Sequence, residues 1–271
     1  MTGNTAPNGA ASDAKLARLL ADRAGEALLS LRRDMGHSDG RALKDAGDAR
    51  AQAVLAELLA EHRPADSVLS EEAVDDKARL SAERVWIIDP LDGTREYSEQ
   101  GRDDWAVHVA LWEAGELALG VVQLPARGTQ LDSTGDLPAP VTIAGRRPRI
   151  AVSRTRPPEV ATAVAEALDA ELVPMGSAGA KVSAVVLGDV DAYVHSGGQY
   201  EWDSAAPVAV ARAAGLHTSR IDGSPLLYNQ SDVLLPDLVV CVPELVESIL
   251  AVTTRPLTGL TLTSPKQGDH S

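Results

Sequence analysis

Asp89 and Asp92 stand on either side of Pro90, directly after the apolar run Val85-Trp86-Ile87-Ile88. Two carboxylates so placed can hold a hard cation. Magnesium takes oxygen ligands, and two-metal phosphoryl-transfer sites keep their ions about 3.5–4 Å apart, so one carboxylate can bridge both while its neighbour holds one. Pro90 fixes φ and stiffens the turn, which lets both carboxylates converge. Gly93 permits close backbone approach, and Thr94 adds a hydroxyl and an N–H. A helix starting here would offer free N–H groups to a phosphate. By itself the segment also reads as an ordinary strand-to-turn junction, because Asp, Pro and Gly are common turn residues.

Two more acidic segments occur in suitable settings. Val68-Leu69-Ser70-Glu71-Glu72 is a short apolar run ending in paired acids, which alone reads as a charged loop. Glu201-Trp202-Asp203-Ser204-Ala205-Ala206-Pro207 puts Asp203 where a helix begins, the place of a simple N-cap. The Trp and the small residues after it suggest close packing against another element.

The elements that must position these residues are legible in outline. Leu16, Leu19, Leu20, Ala24, Ala27, Leu28 and Leu31 form one helical stripe. A polar stretch from Gly36 to Gly47 separates it from a second stripe at Ala51, Val54, Leu55, Leu58 and Leu59, and Pro64 ends that helix. Val85–Ile88 reads as a buried strand, and Trp105–Trp112 with Leu117–Leu124 as a hairpin. Pro125–Pro148, rich in Gly, Pro, Thr and Asp, is the expected boundary between lobes. Beyond it, strands near Arg149–Ser153, Leu172–Pro174 and Ala192–Val194 alternate with helices from Pro157 to about Ala170, Ala178 to Leu187 and Asp203 to Ala214. The pattern gives an α+β lobe over 13–140 and an α/β lobe over 147–271, with residues 1–12 expected to be disordered.

Composition narrows the partners. The 271 residues carry 25 basic and 39 acidic side chains, a formal charge of −14, which repels nucleic acid and anionic lipid. The single Cys241, in an apolar strand-like run, excludes an internal disulfide and any cysteine-based zinc cluster. No apolar stretch reaches membrane-spanning length and no signal peptide is recognisable, so a cytoplasmic location is expected.

Ser70-Glu71-Glu72, then Asp89-Pro90-Leu91-Asp92-Gly93-Thr94 about twenty residues on, then Trp202-Asp203-Ser204-Ala205-Ala206 about a hundred later, together resemble the inositol monophosphatase superfamily. Arg95-Glu96-Tyr97, Gly176-Ser177-Ala178-Gly179-Ala180-Lys181 and Glu201-Trp202-Asp203 look like its CysQ-type branch, which removes the 3′-phosphate of 3′-phosphoadenosine 5′-phosphate (PAP) or its sulfated relative PAPS. The resemblance implies a layered αβαβα sandwich, two or three magnesium ions, lithium sensitivity and a homodimer. It implies that Glu71, Asp89 and the Leu91 carbonyl hold the first magnesium, and that Asp89, Asp92 and Asp203 hold the second. Thr94, oriented by Asp48 or Asp45, would take a proton from the attacking water, while Gly93 and Thr94 N–H groups face the phosphoryl oxygens. The substrate would lie against Glu71, Leu91, Asp92, Gly93, Thr94 and Asp203. At the nucleoside end, Ser177, Lys181, Gln199 and Glu201 are implied contacts, with the alternative that Lys181 is a solvated surface residue. The sequence departs from the family in carrying Asp45 for a usual Thr, Ser70 for a Gly and Pro207 for a Gly. His195 is expected to be a hydrogen-bonded loop residue and His108 a structural one.

Other readings remain. Haloacid-dehalogenase-type phosphatases also follow a strand with an Asp-x-Asp-Gly-Thr loop, but here two residues separate the acids, and Glu71 and Asp203 would be unexplained. An inositol-1-phosphate or fructose-1,6-bisphosphate phosphatase would use the same cluster. A non-catalytic phosphate- or metal-binding regulator predicts a missing ligand, and none is missing.

Overall fold

In a computed structural model the described residues are 8–254. Helices α1 (Asn8–Met35) and α2 (Gly40–His62) pair antiparallel to each other across one face of the first sheet. In α1 the buried stripe is Leu16, Leu20, Ala24 and Leu28; in α2 it is Leu43, Gly47, Ala51, Leu55 and Leu59, four apart. The Asp39 carboxylate caps α2 by accepting from Ala42 N at 3.0 Å. That cap starts α2 inside the polar stretch the sequence suggested as a linker, so Asp48 lies within the helix and not before it. α1 starts at Asn8; residues 1–7 and 255–271 lie outside the described residues, and most of the expected disordered start falls there.

The first sheet runs β1 (Ser67–Ser70), β2 (Arg84–Asp92), β3 (Ala106–Glu113), β4 (Glu116–Leu124), β5 (Thr129–Asp132) in spatial order. β1 and β2 are parallel and the other pairs antiparallel. β2 is covered on both sides, hence its continuous apolar run. Trp86 and Ile88 join the core under α1 and α2, while Val85 and Ile87 join the core on the opposite face. β5 lies inside Pro125–Pro148, so that segment is partly sheet: its backbone completes the edge of β4 despite a composition typical of loops.

The second sheet has the order β7 (Glu171–Met175), β6 (Arg149–Ser153), β8 (Ala192–Ser196), β10 (Asp237–Cys241), β9 (His217–Ser219). Helices α5 (Ala178–Val186) and α6 (Glu201–Ala213) pack between the two sheets, and α4 (Glu159–Ala167) and α7 (Val246–Thr253) cover the outer face. Five layers, αβαβα, result. The inner layer explains the small residues after Asp203: a Cβ on Gly120 of β4 would stand 2.6 Å from Ala206 O and 2.7 Å from Ala209 Cβ. One apolar cluster runs from Leu69 and Ile87 of the first sheet to Val194 and Val239 of the second. Among the described residues no helix is long and apolar enough to cross a membrane.

Candidate metal centre and active site

Side chains three apart on a regular strand point to opposite faces, so Asp89 and Asp92 could not meet without an irregularity. β2 supplies one. Asp89 pairs with His108 and Asp92 with Ala106, so β2 advances by one residue more than β3, a bulge at Pro90–Leu91. Both carboxylates then face the start of α6, where Asp203 stands. One oxygen from each of Asp89, Asp92 and Asp203 lies within 4.8 Å of the others.

Each carboxylate is held individually. Asp89 Oδ1 accepts from Leu91 N at 3.0 Å, fixing the turn. Asp203 is not the N-cap but the third residue of α6; the cap is Tyr200, whose N–H donates to Asp203 Oδ2 at 2.7 Å. Asp92 Oδ2 accepts from Ser177 Oγ and from Gly179 N at 2.7 Å. Burial lifts the carboxyls of Asp89 and Asp203, as does the charge of Glu71 and Asp92; Asp203 reaches about 7. Burial also works to raise Asp92, but His108, Ser177 and Gly179 outweigh it and hold its carboxyl below the ordinary range.

Glu71 follows β1 at the mouth of the site. Its outer edge is open to solvent, yet its inner side is crowded: loss of water and the charges of Asp92 and Glu72 lift its carboxyl to about 7. Asp48 is half-buried and lifted to about 7 by burial and then by Glu72 and Glu71, whereas Asp45 on the same helix is exposed. α3 (Thr94–Ser98) begins beyond Gly93, whose φ of 87° is left-handed, and Thr94 Oγ1 donates to Leu91 O at 3.3 Å.

The chain matches the family model described as the inositol monophosphatase family over residues 11–253. It belongs to that family. It is 53% identical over 252 residues to a "3'-phosphoadenosine 5'-phosphate phosphatase" of Mycobacterium leprae, covering 89% of this chain and 93% of that one. Identity to "3'(2'),5'-bisphosphate nucleotidase CysQ" of Escherichia coli is 34% over 203 residues, 70% and 81% of the two chains. The crystal structure of CysQ from Bacteroides thetaiotaomicron, "a bacterial member of the inositol monophosphatase family", superposes with a TM-score of 0.73 at 28% identity, covering 85% of this chain and 97% of that one.

The inositol monophosphatase family is metal-dependent, and the donors in this member suit hard divalent cations: carboxylate oxygens, crowded together. Among the described residues His108 is the one basic side chain within 4.0 Å of Asp89 or Asp92, at 3.9 and 3.3 Å respectively. The raised carboxyls are the expected signature of an acidic cluster lacking positive charge.

The residues implied at the nucleoside end make the following contacts within the chain. Ser177 Oγ is engaged with Asp92 and caps α5 through Ala180 N at 2.9 Å. Lys181 is neither solvated nor free: it is buried, its Nζ donates to Ser177 O at 2.6 Å and Gly176 O at 3.1 Å, and it lies 5.1 Å from the centre of the Tyr193 ring. Glu201 is buried with both oxygens taken, by Asn229 N at 2.6 Å and Gln230 N at 2.7 Å. Arg79 donates to Asn229 Oδ1 and Gln230 O, so this network ties the 229–230 loop to α6. Gln199 Nε2 donates to Tyr193 Oη at 3.0 Å. His195, expected to be hydrogen-bonded, has no partner on either buried ring nitrogen, and burial lowers it to about 4. His108, expected to be merely structural, faces Asp92.

Gly47 sets the approach of Asp48. A Cβ there would stand 2.7 Å from Tyr97 Cε1 and 3.0 Å from Leu91 Cδ2. Gly47→Ala should force α2 away from the end of β2, costing about 1–3 kcal/mol. We expect a lowered urea midpoint and about a tenfold loss in kcat. Unchanged kcat would show that the position of Asp48 does not matter.

Proposed function

We propose that this chain is a magnesium-dependent phosphatase that removes the 3′-phosphate of PAP, leaving adenosine 5′-phosphate and inorganic phosphate. The observation that carries the reading is the convergence of Asp89, Asp92 and Asp203 in a chain 53% identical to a relative of that name. PAPS is a second substrate of the same class. The other phosphatase readings share the cluster, but neither relative quoted above bears their names.

In this reading Glu71, Asp89 and the Leu91 carbonyl would hold one magnesium, and Asp89, Asp92 and Asp203 would hold the other. When bound, the ions supply Lewis-acid charge and lower the pKa of water. Thr94 Oγ1 takes a proton from the attacking water while passing its own to Asp48, whose carboxyl, lifted to about 7, is suited to accept near neutral pH. The N–H groups of Gly93 and Thr94 steady the phosphoryl oxygens. The leaving 3′-oxygen departs with a proton from solvent.

The test is a panel of PAP, PAPS, inositol 1-phosphate and fructose 1,6-bisphosphate with a metal-free control. We expect kcat/KM for PAP to exceed both sugar phosphates by at least about 100-fold, some 2.7 kcal/mol. Activity should vanish with chelator and fall in millimolar lithium. A preference for either sugar phosphate would overturn the substrate assignment.

A further inference from the structure

The proposed reaction assigns no task to His108, although its ring is packed against the metal centre. It lies in β3 as the cross-strand neighbour of Asp89 and is fully buried. Its Nδ1 lies 3.1 Å from Trp202 O. A carbonyl oxygen only accepts, so Nδ1 is the donor and the ring orientation is set. Nε2 then stands 3.3 Å from Asp92 Oδ2, in contact but without the geometry of a hydrogen bond, and has no hydrogen-bond partner elsewhere. Both ring nitrogens thus face acceptor oxygens.

Asp92 Oδ2 is approached by the Ser177 hydroxyl, the Gly179 N–H and His108 Nε2 together. Asp92 Oδ1 accepts no hydrogen bond from any described residue. The space for the ring is also specific: a Cβ on Gly179 would come within 2.0 Å of His108 Nε2. Residue 179 must be glycine for the imidazole to lie where it does.

We propose that His108 is a positioning residue. With Ser177 and Gly179 it fixes Asp92 Oδ2 so that Oδ1 is presented to a divalent cation, and through the Trp202 carbonyl it ties down the start of α6 that carries Asp203. The inference rests on the metal-centre reading above but not on the identity of the substrate. Groups that orient a metal ligand typically change metal affinity or activity 10- to 100-fold when lost.

The experiment is calorimetric titration of Mg2+ into the purified full-length protein without substrate, with KM for PAP measured at saturating Mg2+. His108→Leu should raise the Mg2+ Kd by about 10- to 100-fold while KM stays within about twofold. Gly179→Ala should act in the same direction by displacing the ring. In a His108→Asn background, where the shorter side chain leaves room, Gly179→Ala should add less than about twofold. Far-UV circular dichroism and the metal-free melting temperature verify folding; should His108→Leu fail to fold, the His108→Asn Kd decides, expected about tenfold weaker. A folded variant with Kd within twofold of wild type overturns the proposal, as does a KM that rises in step with Kd. Wild type that binds Mg2+ yet leaves PAP intact sinks the substrate reading alone, and the variants' Kd values still decide the role of His108.

Discussion

An Asp89→Asn variant is expected to lose catalysis and gain metal-free stability. Asp89 is fully buried, and its carboxyl is pushed well above the usual range by burial first and then by Glu71, Asp92 and Asp203. Asparagine keeps the shape and the oxygen that accepts from Leu91 N, so the turn at Pro90 should persist. What disappears is a carboxyl whose ionised form the fold alone does not balance. Without metal, asparagine avoids the cost of holding that buried carboxyl protonated or of ionising it among like charges; with metal, in the proposed reading, it would remove a ligand. We expect kcat/KM to drop at least about 10³-fold, roughly 4 kcal/mol of transition-state stabilisation. In chelator the melting temperature should rise by about 2–4 °C, the equivalent of ~1 kcal/mol in a domain of this size. The Mg2+-induced rise in wild-type melting temperature should shrink or vanish. A variant that keeps a tenth of wild-type activity, or melts lower in chelator, would show that Asp89 is held for structure and not for metal. Function bought at the expense of apo stability is the ordinary condition of such sites.

What could be read beforehand follows a physical divide. The convergence of Asp89 and Asp92 was legible because one local segment, a buried strand broken by Pro90, carries both carboxylates and the turn that aims them. The helical stripes were legible in outline because a 3.6-residue period survives any tertiary arrangement, although Leu19, counted in the first stripe, is exposed. The start of α2 was hidden because Asp39 caps a polar first turn, where hydrophobic periodicity gives no signal. β5 was hidden because an edge strand of four residues needs only a partner, not a pattern of its own. Ser177, Gly179 and His108 could not be linked to Asp92 from composition: Ser177 and Asp92 are 85 residues apart and meet only when α5 is set between the sheets. The hydrogen bonds of Glu201 and Lys181 are equally invisible in the sequence. Each engages backbone groups that only the fold brings near: the 229–230 N–H groups for Glu201 and the Ser177 carbonyl for Lys181.

Stability without metal should fall as pH rises through neutrality, and Mg2+ should remove most of that fall. Asp48, Glu71 and Asp203 each have carboxyls lifted to about 7, by burial first and by neighbouring carboxylates second. An acid whose folded pKa exceeds its unfolded value binds its proton more tightly when folded. Its contribution therefore declines from about pH 4 and is lost fully once pH passes about 7. Asp89, lifted well above the ordinary range by burial first, adds to the same trend, as does His108, raised by Asp92 against the opposing effect of burial, because stability from a proton held in the folded state disappears as pH rises through the folded pKa. Asp92, held low, is ionised in both states above about pH 5 and contributes no slope there. His195, lowered to about 4, opposes the trend only up to its unfolded value of 6.5. The clean window is thus about pH 6.5 to 8.5, over which the melting temperature in chelator should drop by about 5 °C, the equivalent of ~2 kcal/mol. Divalent cations reverse the local logic by favouring the ionised carboxylates, so saturating Mg2+ should flatten the profile and release protons on binding near pH 7. Glu201, also lifted to about 7 by burial but bonded to the 229–230 loop, should leave a small metal-insensitive slope. A profile equally steep with and without Mg2+ would mean that the raised carboxyls do not bind cation, and the metal centre would have to be sought elsewhere.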